Sequence, residues 1–242
     1  ILDHMKPEQK AMINFDSPFY KQWVSRAPKM QSLPYSPNPV AGKISLRRIN
    51  PTFIEVEIEG TRSEYEFQLL GSHQMSNLSA ALECIRSLDL DLSLSMKRIP
   101  TLKPVDHRLC PLKTKQGMMI IDDSYNANMG SWKVALDVLK TFDKAKKMII
   151  MSDTEGMGDK AVTNHEQIMH WISSVDNCQL IAIGDLSQML ARQYYHGPLV
   201  LCKRGEVISH LSESNNPDTV VLVKASRSSR LDLLIDEVLL SC

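Results

Sequence analysis

Between residues 43 and 70 apolar and polar side chains alternate. Ile44 and Leu46 are separated by Ser45, Ile54, Val56 and Ile58 by Glu55 and Glu57, and Tyr65, Phe67 and Leu69 by Glu66 and Gln68. A period of two is the mark of antiparallel strands with one wet face. The pattern predicts a three-stranded meander over Ile44–Ile49, Phe53–Ile58 and Tyr65–Leu69. Ahead of it, Ala11 to Asp16 reads as one buried strand ending in a polar turn, and the proline-bearing span from Ser32 to Pro39 as a loop. The period then changes, with Leu78, Ala81, Leu82, Ile85 and Leu88 recurring at helical spacing, so Asn77 to Leu88 is expected to form an amphipathic helix.

From about residue 105 short apolar runs alternate with helical patterns. Strands are expected at Met118–Ile121, Met148–Met151, Leu180–Ile183, Leu199–Cys202 and Val220–Val223. Helices are expected at Ser131–Thr141, Val162–Ser173, Leu186–Tyr194, Glu206–Ser212 and Arg230–Leu240. Strand then helix, repeated with short connections, means a parallel sheet with helices on both faces. The fold class is therefore α/β, with a linker near Thr101 to Asp106.

Composition narrows the function classes. Twenty-eight basic residues balance 28 acidic ones, which leaves no electrostatic footprint for nucleic acid or an anionic membrane. No apolar run approaches the roughly 20 residues of a membrane span, and no signal-peptide pattern opens the chain, so a cytoplasmic protein without membrane insertion is expected. Cys84, Cys110, Cys178, Cys202 and Cys242 are odd in number and free of CxxC spacing, and read as reduced thiols rather than a metal site. The chain begins Ile1-Leu2-Asp3, with its first methionine at Met5, as a fragment of something longer would.

The densest candidate chemistry lies where the strand Met118–Ile121 runs into Asp122-Asp123-Ser124-Tyr125-Asn126-Ala127-Asn128 and then a helix. In an open α/β sheet the C-terminal strand ends are where ligands bind, because backbone groups are free there and helix N-termini attract anions. The plain alternative is an Asx-rich turn in which these side chains serve only as caps. Two more strand tips are polar: Ser152 to Gly158 after Met151, and Lys224 to Arg230 after Val223. Lys224 and Arg227 there suit a carboxylate or phosphate, although Ser226 or Ser228 could merely cap the next helix.

Four segments in this order resemble the Mur ligase family, over essentially the whole chain. They are Gly71 to Ala81, the run Asp122 to Asn128 with Gly130-Ser131, Asp153 to Gly158 followed by His165, and Leu222 to Ser228. Within the family they look most like the branch, the MurF type, that adds D-alanyl-D-alanine to UDP-N-acetylmuramoyl-tripeptide with ATP and Mg2+ in peptidoglycan synthesis. The resemblance implies that residues 1–104 are the C-terminal part of the central ATPase domain. Residues 105–242 would be the C-terminal Rossmann-like domain. It further implies that Gln74 and Asn77, from an amide-rich segment, contact adenine, that Arg108 reaches the ATP phosphates and that Asp123 contacts ribose. Tyr125, Asn126, Asn128, Lys224, Ser226 and Arg227 become candidates for presenting the dipeptide.

Departures from the family pattern are also legible. Gln74 replaces an asparagine, Ala225 a glycine, and the glutamate of the Asp153 segment is displaced by one position. No GxxxxGK[ST] phosphate loop occurs, and the family's catalytic lysine and magnesium ligands have no counterpart, so the chain by itself is expected not to catalyse ligation. Two other readings are a related ligase of different specificity, whose strand tips usually read Asp-Tyr-Ala-His or Asp-Gly-Ala-His, and a truncated, non-catalytic nucleotide-binding or interaction protein.

Overall fold

The structure, a computed structural model, describes residues 2–6, 8–27, 31–39, 43–50, 52–144 and 146–241; Cys242 lies outside them. The chain divides into two compact units, Ile1–Lys103 and Pro104–Cys242.

In the first unit β1 (Lys10–Asn14) and β2 (Gln31–Tyr35) form a parallel pair, with α1 (Tyr20–Arg26) between them in sequence. The first half of the expected loop from Ser32 to Pro39 is thus a strand, and the rest is loop. Pro34 stands opposite Ile13 in this register, and a strand with only one paired edge can hold a proline because the missing N–H faces outward. A second sheet orders β3 (Ile44–Asn50), β4 (Phe53–Ile58) and β5 (Thr61–Glu66) as an antiparallel meander. The third strand starts earlier than the alternation predicts. Glu59 and Gly60, at φ 50° and 84°, make a two-residue turn that sets Thr61 against Ile58. Helix α2 (Ser72–Ser87) begins five residues before the expected Asn77, since its first turn, Ser-His-Gln, carries no apolar periodicity. Met75, Leu78 and Leu82 of α2 pack with Ile44, Leu46, Ile54, Val56 and Phe67 as this unit's core, and α3 (Leu92–Lys97) follows.

The second unit is the expected α/β layer structure. Its sheet contains β6 (Cys110–Lys113), β7 (Met119–Asp123), β8 (Lys146–Met151), β9 (Cys178–Ala182), β10 (Leu199–Leu201) and β11 (Thr219–Lys224) in the order β10-β9-β8-β11-β7-β6. All neighbours are parallel except β6, an antiparallel edge strand whose sequence, Cys-Pro-Leu-Lys, gives no strand signal. The helices are α4 (Met129–Lys140), α5 (Ala161–Ser173), α6 (Asp185–Tyr194), α7 (Val207–Ser212) and α8 (Leu231–Ser241). Met118, Ile120, Met148, Ile150, Val221 and Val223 face α7 and α8 in one core cluster. By strand alternation the equally buried Ile121, Ile149, Leu180 and Leu222 face the other side. Burial on both faces is why these strands read as continuous apolar runs. The last strand, β11, lies between β7 and β8, so three polar tips stand side by side.

Candidate active site

The C-terminal ends of β7, β11 and β8 carry the site. Lys224 ends β11 opposite Asp123 in register. It is wholly buried, its Nζ 2.5 Å from Asp123 Oδ2 and 3.1 Å from the Asn126 carbonyl oxygen, with the Trp132 ring 5.7 Å away. Burial pushes its ammonium below the ordinary lysine value while Asp123 pulls the other way. The second oxygen of Asp123 accepts the Leu109 N–H at 3.2 Å, and its side chain keeps 13% exposure.

Asp122, on the same strand end, points elsewhere. Its Oδ1 accepts both the N–H and hydroxyl of Ser124, and its Oδ2 lies 2.7 Å from Nδ1 of His107. Between these two aspartates the segment His107-Arg108-Leu109 is held in unusual backbone: His107 and Leu109 have φ of 62° and 49°. The Tyr125 N–H closes the arrangement by donating to the His107 carbonyl at 3.1 Å. Arg108 is exposed, and its guanidinium lies 4.5 Å from the centroid of the Tyr125 ring; that of Arg227 lies 5.1 Å from the same centroid.

Other residues of the tips build the scaffold. Asn128 caps α4: its Oδ1 accepts the Ser131 N–H at 2.9 Å while its own N–H donates to the Ser131 hydroxyl. Ser226, almost buried, accepts the Glu155 N–H at 2.8 Å and so ties the β11 tip to the loop after β8. Asp153 accepts the Ser187 N–H at 2.7 Å at the start of α6, and a Cβ on Gly184 would meet its carboxylate at 2.7 Å, so glycine is required there. Gly156 sits at φ 74°, where other residues are strained. His165 is wholly buried; its Nε2 accepts the Thr154 N–H and its Nδ1 donates to the Ala161 carbonyl, which defines a neutral ring serving as packing. Ala225 avoids positive φ and its methyl is buried in the core, so its replacement of a glycine is accommodated.

Of the residues expected from sequence, the second unit therefore brings together Arg108, Asp123, Tyr125, Asn126, Lys224, Ser226 and Arg227, with Asn128 one helix cap away. Gln74 and Asn77 belong to the first unit, where they share the start of α2 and bond to each other, Asn77 Nδ2 to Gln74 Oε1 at 3.1 Å. Sequence reasoning missed the parts of His107 and Asp122. The clue was adjacency, since each lies beside a residue already singled out.

The family described as Mur ligase, glutamate ligase domain matches residues 107–227, and the chain belongs to the Mur ligase family. Among its relatives, the UDP-N-acetylmuramoyl-tripeptide--D-alanyl-D-alanine ligase of Buchnera aphidicola subsp. Baizongia pistaciae is 27% identical over 180 residues, covering 71% of this chain and 37% of the relative. The same ligase from Buchnera aphidicola subsp. Acyrthosiphon pisum is 23% identical across 99% of this chain and 54% of its own length. In fold, MurF from Acinetobacter baumannii superposes with a TM-score of 0.83 at 20% identity, over 99% of this chain and 53% of that one. MurF ligase from Thermotoga maritima, solved in complex with ADP, gives 0.79 at 22% identity, over 98% and 55%. The chain spans about half the length of these relatives or less.

Proposed function

We propose that this chain is the C-terminal half of an ATP-dependent ligase that adds D-alanyl-D-alanine to UDP-N-acetylmuramoyl-tripeptide in peptidoglycan synthesis. Residues 1–104 then complete the central ATP-binding domain and residues 105–242 form the C-terminal Rossmann-like domain. The observation that carries this reading is the meeting of two signature segments at one sheet edge. Asp123 to Asn128 and Lys224 to Arg227 are joined there through the buried Lys224 and Asp123 pair. A relative bearing that ligase name matches 99% of the chain and so spans both segments.

In this assignment Arg108 takes ATP phosphate oxygens and Asp123 the ribose. Arg108 fits the role, since no ion pair of the described residues includes it. Asp123 has each oxygen already engaged once, so a ribose hydroxyl would use a remaining lone pair. Gln74 and Asn77 present paired amides for the adenine edge. Of the dipeptide candidates, Tyr125, Asn126, Asn128 and Arg227 are exposed and could meet the dipeptide, whereas Lys224 and Ser226 are buried and would act by holding the strand tips in place.

Among the described residues no group of three or more His, Cys, Asp or Glu side chains could hold a metal ion. Mg2+ would therefore be carried by the nucleotide's phosphates and waters rather than by a cluster of these side chains. Positioning and charge neutralisation dominate phosphoryl transfer, and of those parts this chain supplies arginines and the dipeptide side. A reaction that draws on ATP and a nucleotide-linked substrate belongs in the cytoplasm. Among the described residues no helix is long and apolar enough to cross a membrane.

The test is phosphate release from ATP by this chain joined to the N-terminal half of a MurF relative. Release that needs both the tripeptide precursor and D-alanyl-D-alanine supports the reading; release sustained equally by a single amino acid overturns it. The 242-residue chain alone is expected to give no ligation and to bind ATP and ADP weakly and alike in calorimetry.

A further inference from the structure

Tyr125 carries two guanidinium groups on one ring. They come from distant parts of the sequence: Arg108 precedes β6, Arg227 follows β11, and their Cζ atoms lie 4.5 and 5.1 Å from the ring centroid. Like charges gathered in one place repel unless something offsets them. The ring face does so in part, by attracting each cation. Of the two aspartates at the β7 tip, Asp123 pairs with Lys224 and Asp122 with His107. Among the described residues no ion pair includes Arg108 or Arg227.

The backbone under this stack is fixed too. Arg108 stands between two residues in the left-handed region, His107 and Leu109, where side chains other than glycine's are strained. The Tyr125 N–H on the His107 carbonyl and Asp123 on the Leu109 N–H hold that strained shape. Tyr125 thus acts twice on Arg108, once through its peptide group and once through its ring. On Arg227 it acts through the ring alone.

We propose that Tyr125 is a positioning residue that aligns Arg108 and Arg227 as one dicationic clamp for a phosphate dianion. The two arginines then serve a single oxyanion, and Arg227 moves to the phosphate from the dipeptide side to which it is assigned above. Two cations with no ion-pair partner among the described residues outweigh the single charge of a carboxylate, and two planar forks can share the oxygens of a phosphate. The ownership of that phosphate by a nucleotide rests on the function proposed above, but the clamp does not require ligation to be seen.

The experiment is calorimetric titration of the 242-residue chain with inorganic pyrophosphate and, in a parallel arm, with D-alanyl-D-alanine. Pyrophosphate should bind the native chain. Arg108→Ala and Arg227→Ala should each weaken binding at least tenfold, and the double variant should lose clearly less than the product of the two. Tyr125→Leu should weaken binding at least fivefold, whereas Tyr125→Phe, which keeps ring and backbone, should bind as the native chain does. Because Tyr125 and both arginines are exposed, melting temperatures should stay unchanged. The proposal is overturned by no pyrophosphate binding at millimolar concentration, by arginine effects that multiply independently, or by native binding in Tyr125→Leu. Arginine coupling seen with the dipeptide but not with pyrophosphate overturns the phosphate assignment. Failure of dipeptide-dependent ligation would leave these titrations unaltered, so the two readings fail separately.

Discussion

The ammonium group of Lys224 sits 2.5 Å from Oδ2 of Asp123, and none of the lysine is open to water. The pair joins the ends of two adjacent central strands, and the Asn126 carbonyl takes a second lysine proton, which fixes the loop after β7 as well. A buried ion is tolerable only while its partners remain, because the desolvation cost persists when one is removed.

Lys224→Met is therefore expected to destabilise the second unit by about 3 kcal/mol, since it leaves a carboxylate facing an apolar chain. Adding Asp123→Leu should recover much of that loss. Urea unfolding of the four proteins in the cycle measures both quantities. A loss under about 1 kcal/mol for Lys224→Met would mean that the pair is effectively solvated.

In a complete enzyme, Arg108→Ala should lower kcat/KM at least tenfold, with the melting temperature unchanged because the side chain is exposed. Asp123→Asn should show a comparable kinetic loss together with reduced stability, since it also weakens the bond to Lys224. Steady-state kinetics beside thermal melts separate the two patterns. Native kinetics in both variants would place the nucleotide elsewhere.

Alkaline pH should weaken this fold through a different pair. The Tyr195 hydroxyl donates to the Cys178 carbonyl at 2.6 Å, and burial pushes the Cys178 thiol from its ordinary 9.0 up to about 12 and the phenol upward also. The folded state holds these protons after the unfolded chain has released them. The thiol's contribution is thus complete below pH 9 and is lost as pH rises toward 12, while the phenol's begins to fall only above its ordinary 10.0, at no more than about 1.4 kcal/mol per pH unit for each proton. Cys178→Ala should flatten the decline of the urea midpoint between pH 9 and 11. Identical slopes in variant and native chain would show that the thiol ionises freely.

Limited proteolysis should cut first between Thr101 and Asp106, at the boundary of the two compact units. The product from about residue 104 onward should retain cooperative melting, since its sheet has helices on both faces and its own core. Mass spectrometry of the early fragments decides the matter. Early cuts inside β7 to β11 would contradict it.

The repeated strands and helices of the second unit were legible because burial on both sheet faces writes long apolar runs into the sequence. Elements whose cause is not apolar periodicity were not. β2 is hidden by Pro34, β6 by a short run beside a proline, and the first turn of α2 by its polar residues. At the site, residue types and strand tips could be read, and so could the resemblance that grouped them. Which atoms are already occupied could not. Asn128 as a cap, Asp153 at the head of α6 and Asp122 on His107 depend on pairings between segments that no local pattern encodes.

Strand β11 is the last strand of the chain and yet lies in the middle of its sheet, between β7 and β8. A ribosome delivers β7 and β8 long before the strand that must separate them, so the edge of each that faces β11 stays unpaired until β11 emerges. The half-made unit has to wait with two apolar strand edges open, a state prone to wrong pairing. Lys224 arrives with that strand, and with it the counter-charge for Asp123. The candidate site is thus completed in one late event, and a chain stopped before β11 would carry Arg108, Asp123 and Tyr125 without Lys224 and Arg227, which meet them there.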